Sequence, residues 1–243
     1  SWGSVFEKSM LVRSILGGGH CLQRPISGRQ LGQAIDKYSF EFFALIDYQE
    51  RMERAMDQLY LEEIEKWKAL ADEPAVRFLR KKHESWKLID FFPMTFRYSF
   101  IVTLYIHVEA KLTEICEIIS EERDLPIRLK HLSGSLIERT KRFLFDVAGL
   151  NQSKADWNSI DELSKVRDCI VHANGDPYRS RDKQYLIDLT RSLGPGKLQI
   201  GTRINQDGEW LLIEEEYPLS LTERIGGFFR VLGSELEKAS PVA

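Results

Sequence analysis

Between residues 166 and 175 the sequence reads VRDCIVHANG. Arg167, Asp168 and His172 interrupt an otherwise apolar stretch that stops at Asn174-Gly175. Charged and titratable groups at a buried helix end are costly unless they have partners or a task. An imidazole exchanges protons near neutrality, and a guanidinium stays charged and grips oxyanions through a planar fork. The pair suits cleavage of RNA, which carries its own nucleophile in the 2'-hydroxyl. His172 would then act as general base or acid, Arg167 would meet the charge building on the scissile phosphate, and Asp168 would orient the imidazole or raise its pKa.

Spacing constrains how these groups meet. Asp168 and His172 are four apart and share one helix face. Arg167 lies five residues from His172, roughly 140° round a regular helix, so the two converge only if the last turn unwinds or a second chain supplies one of them. Spacing alone favours a plainer reading, with Arg167 and Asp168 solvated and His172 capping the last carbonyls at the negative end of the helix dipole. Asn174 admits a contact to phosphate or ribose, but Asn174-Gly175 also ends the helix by supplying a left-handed position.

The elements that must carry this motif read as helices. From Lys37, the residues Phe42, Leu45, Met52, Met56, Leu59, Trp67 and Leu70 recur at helical spacing until Asp72-Glu73-Pro74. A shorter piece ends at Pro93, and Phe96, Phe100, Leu104, Val108, Leu112, Ile115 and Ile119 then mark one face of a second long helix. A further helix is expected over about 134–148, and another from near Asn158 into the motif, with Ile160, Leu163, Val166 and Ile170 on its core face. Residues 181–193 form one more short helix. Residues 197–216 turn strand-like around Asp207-Gly208, a strong hairpin signal, and Ser220 with Glu223 makes a capping box for the last helix. The expected fold is mainly α, an antiparallel helical bundle with one late β-hairpin. Three segments follow: an arm over 1–36, a long helix plus a connecting helix over 37–93, and the bundle over 94–239.

Composition narrows the rest. The chain has 243 residues, is 43% hydrophobic and carries a formal charge of -3, so it can bury a sizeable core and shows no global basic field. Nucleic-acid binding would have to come from a local patch. Cys21, Cys116 and Cys169 are an odd number without CxxC spacing, which points to reduced thiols and a cytoplasmic setting. The longest apolar run, FIVTLYIHVEA, includes His107 and Glu109 and is far too short to span a membrane.

Other constellations weigh less. The Gly17-Gly18-Gly19 run lacks the GK[ST] of a phosphate loop. His107, Glu109 and Cys116 do not share a face and lack a fourth ligand, so no metal or other cofactor is expected. In RFLRKKHESWK, Arg80, Lys81 and Lys82 lie near Phe78 and Trp86, as on a surface that tracks phosphates, although a solvated helix face gives the same pattern.

ELSKVRDCIVHANG resembles the Arg-x4-6-His signature of the HEPN family (higher eukaryotes and prokaryotes nucleotide-binding domains), especially its bacterial members. FIVTLYIHVEAKLTEICEII is similar to that family's first core helix, with Glu109 at a position often acidic there. The resemblance covers about residues 94–236 and leaves the long first helix outside or loosely attached. It implies a helical bundle that cleaves RNA without metal as a homodimer, its two motifs lining one cleft. It further implies a toxin with a cognate antitoxin, or an antiviral defence effector. Other members are non-catalytic nucleotide-, RNA- or protein-binding dimerisation modules, the alternative reading for this chain. Glu109 could meet Arg167 across the helix pair as a structural ion pair, an arrangement the resemblance would tolerate.

Overall fold

The computed structural model describes residues 28–69, 86–150, 153–194, 196–204 and 206–239. These are mainly helical and contain one two-stranded antiparallel hairpin. In chain order the elements are α1 (Gly28–Ala69), α2 (Phe92–Glu122), α3 (Leu136–Arg142), α4 (Trp157–Ala173), α5 (Lys183–Leu193), β1 (Leu198–Gly201), β2 (Trp210–Ile213) and α6 (Glu216–Ala239).

The bundle is built round α2, whose side chains Ile101, Leu104, Val108, Leu112, Ile115, Cys116 and Ile119 are fully buried. Burial of each large apolar side chain contributes about 1.5–3 kcal/mol before entropy is counted. Across α2 lie α4, with Ile160, Leu163, Val166 and Cys169 buried, and α6, with Leu221, Ile225, Phe229 and Leu232 buried. Helices α4 and α6 run antiparallel, since Glu162 meets Arg224 and Trp157 meets Phe228. At the start of α3 the Ser135 hydroxyl accepts from the Glu138 amide, while the Glu138 carboxylate accepts from the Ser135 amide. That reciprocal cap satisfies two donors otherwise left over at the helix start.

Several sequence expectations are corrected. Helix α1 begins at Gly28 rather than Lys37, so the supposed arm over 1–36 loses its last residues to the helix. Far from being loosely attached, α1 packs antiparallel along α6: Phe42 stacks on Phe229 with ring centroids 5.1 Å apart, and Gln49 donates to the Glu215 carbonyl. Helical structure runs through Pro93, which falls in the first turn of α2 directly after a π-helical turn at Lys87–Phe91. Helix α6 starts at Glu216, so Ser220 lies inside it and its hydroxyl donates back to the Tyr217 carbonyl. The Ser220–Glu223 capping box does not form. The hairpin expected around Asp207-Gly208 does form, with Gly201 opposite Trp210.

Candidate functional site at the end of α4

Helix α4 keeps its buried face through Val166, Cys169 and Ala173, and Ile170 is only partly buried. It then stops abruptly. Asn174 takes the left-handed conformation at φ 53°, Gly175 follows at φ 78°, and the Gly175 amide donates back to the Cys169 carbonyl at 3.0 Å. Gly175 also has no room for a side chain, since a Cβ there would lie 2.2 Å from the Tyr98 hydroxyl oxygen. That hydroxyl donates to the Leu211 carbonyl, and the Leu211 amide donates to the Gly175 carbonyl, each at 2.8 Å. The hairpin and α2 thus fix where the helix ends.

The chain then folds back. The Asp176 amide donates to the Ala173 carbonyl, and its carboxylate accepts from the Tyr178 amide and lies 3.2 Å from Nε of Arg179. This turn returns Arg181 over α4, where its Nη2 donates to Oδ2 of Asp168 at 2.5 Å and its Nε to Asp182 at 3.3 Å. The other Asp168 oxygen, Oδ1, accepts from Nη1 of Arg167 at 2.8 Å. One carboxylate therefore joins two guanidinium groups.

Arg167 is fastened a second way: its guanidinium carbon lies 4.5 Å from the centroid of the Tyr105 ring. The Tyr105 phenol is pushed up to about 12, chiefly by burial and then by the neighbouring Glu109 carboxylate. Glu109 thus reaches the motif through Tyr105, and no direct Arg167–Glu109 ion pair forms among the described residues. Nε of Arg167 is buried with no hydrogen-bond partner.

His172 sits at the rim with its side chain 68% exposed, and its Nε2 is 3.9 Å from Oδ1 of Asp168, too far for a hydrogen bond. Below it is a hollow of about 240 Å³ lined by Asp168, His172, Ala173, Arg179, Ser180 and Arg181. Helix α4 is regular to Ala173, so Arg167 and His172 do not converge by unwinding; Asp168 stands between them, and Arg167 does not line the hollow.

Asn174 is exposed at the helix end. Arg80, Lys81 and Lys82 lie outside the described residues. His107, Glu109 and Cys116 stay apart: His107 lies 2.8 Å from Glu41, Glu109 faces Tyr105, and the buried Cys116 thiol is pushed up to about 12 by burial. Sequence reasoning missed Arg179, Ser180, Arg181 and Tyr105. The alternating basic residues in PYRSRDK, directly after the helix stop, were the available signal for the first three.

Comparison with family models, with curated proteins and with solved structures finds no match for this chain.

Proposed function

We propose that this protein is a metal-independent endoribonuclease of HEPN type, acting at the end of α4 as a homodimer. The observation that carries the reading is the placement of His172 at the rim of a solvent-reachable hollow, with Asp168, Arg179 and Arg181 in its wall and Arg167 tied to Asp168 behind it. In the proposed step a proton leaves the ribose 2'-hydroxyl, the 2'-oxygen bonds to phosphorus, and the bond to the 5'-oxygen breaks as that oxygen takes up a proton. His172 serves one of these proton transfers, and guanidinium charge stabilises the phosphorane-like transition state.

The test is incubation of the purified protein with single-stranded RNA in EDTA. The reading expects 2',3'-cyclic phosphate ends and a loss of about 10²–10⁴-fold in rate for His172→Ala. A second reading, a non-catalytic RNA- or nucleotide-binding module, is favoured by the double use of Asp168 by arginines, which leaves His172 without its own carboxylate partner. RNA retention without product, unchanged by His172→Ala, would select it.

A further inference from the structure

We infer that Arg181, with Arg179 beside it, is the phosphate-gripping residue of the hollow, while Arg167 is a positioning group that holds Asp168 from behind. This rests on the RNA reading above and assigns the substrate contact within it. The two arginines on Asp168 differ in what they leave over. Arg167 is stacked on Tyr105 and lies outside the lining of the hollow. Arg181 lines the hollow, is 77% exposed, and its bonds to Asp168 and Asp182 occupy Nη2 and Nε. A guanidinium carries five N–H donors, so the remaining edge of Arg181 can take a phosphate without breaking either bond.

The local charge supports the assignment. In the wall of the hollow stand two guanidinium groups, Arg179 and Arg181, against one carboxylate, Asp168, both of whose oxygens already accept from arginine. Asp176 and Asp182 pair with Arg179 and Arg181 but do not line the hollow. Ser180, also in the wall, accepts from the Asp182 amide through its hydroxyl oxygen, which leaves that hydroxyl's proton to donate. At about 240 Å³ the hollow lies below the usual range for sites that enclose a whole small molecule. It suits one phosphodiester with part of its ribose, the rest of the strand running over the surface. Asp168 acts here as a hinge-pin that holds Arg181 in place before the strand arrives, which lowers the entropy lost on binding.

The experiment measures binding of a 2'-O-methyl oligouridylate, which cannot be cleaved, by fluorescence anisotropy over a range of salt. Wild type is compared with Arg181→Gln and with Arg191→Gln, a control at an exposed arginine on α5 that does not line the hollow. Arg181→Gln is expected to weaken binding about tenfold. The slope of log affinity against log salt should shrink by about 0.7, one phosphate contact on a single strand, with Arg191→Gln unchanged. Equal affinity and slope for wild type and Arg181→Gln overturn the assignment, as does failure of the wild-type protein to bind. Cleavage abolished by His172→Ala alongside unchanged Arg181→Gln binding would sink this inference and spare the nuclease. Arg181-dependent binding without any cleavage would do the reverse.

Discussion

Two arginine–carboxylate pairs in this molecule look alike on paper and differ in what surrounds them. Arg97 of α2 meets Glu53 of α1 in a fork, Nε to Oε1 and Nη2 to Oε2 at 2.8 Å each, and its Nη1 donates to the Ile213 carbonyl at 3.0 Å. Every nitrogen of the guanidinium is used, and the two side chains are 13% and 5% exposed. At the end of α4, Asp168 is the shared partner of two arginines; one has a buried Nε with no partner and the other stands mostly in solvent beside an open hollow. The closed pair has a partner on each guanidinium nitrogen and joins α1, α2 and the hairpin. An open one keeps donors in reserve, which is what an anion-binding wall requires.

The largest effect should come from breaking the closed pair. Arg97→Ala leaves Glu53 as an unpaired buried carboxylate and is expected to lower stability by about 3–5 kcal/mol in urea denaturation. Replacing both members with apolar residues of similar size should recover most of that loss. Arg181→Ala, in the open cluster, should move the denaturation midpoint by less than about 0.5 kcal/mol equivalent, because Arg181 is mostly in solvent and the Asp168 carboxylate keeps Arg167 as its partner. If Arg181→Ala proved as damaging as Arg97→Ala, the open cluster would be structural after all.

A smaller effect tests how Arg167 is fastened. Tyr105→Phe keeps the ring under the guanidinium but removes the buried hydroxyl next to Glu109, at a cost of no more than about 1 kcal/mol. The phenol is raised in the folded protein to about 12, so folding favours its protonated form. That contribution is fully present below the free phenol's value of about 10 and is lost as pH rises from there towards 12. Stability measured across that window should fall less steeply in Tyr105→Phe than in wild type. An equal slope would mean that the hydroxyl is not held as described.

The sequence made the motif legible because helical periodicity and a helix stop are local properties. Val166 and Cys169, buried on one face, with Asn174-Gly175 left-handed after them, follow from patterns a few residues long. Helix starts read less well. Residues 28–36 show no sustained apolar period but belong to α1, and Ser220 with Glu223 matched a cap that helical structure from Glu216 had overridden. What could not be read was the return of the chain. Whether residue 181 lies over residue 168 depends on the turn at Asp176 and on the hairpin that pins Gly175, a tertiary outcome with no periodic trace. The same holds for Arg97 and Glu53, 44 residues apart on two helices whose pairing no spacing announces.

The smallest effect concerns Asn174, which stands between the two kinds of role. Its backbone is at φ 53°, ψ 33°, where most residues are strained, while asparagine tolerates the region and glycine enters it freely. If Asn174 is there only to end α4, Asn174→Gly should leave stability within a few tenths of a kcal/mol and leave RNA cleavage and oligouridylate binding untouched. If its amide also touches phosphate or ribose, the same variant should keep its denaturation midpoint and lose affinity. Glycine is the informative replacement because it preserves the backbone and deletes only the side chain. Alanine would strain the helix end that places His172 and Asp168, so a loss of activity could then come from either cause.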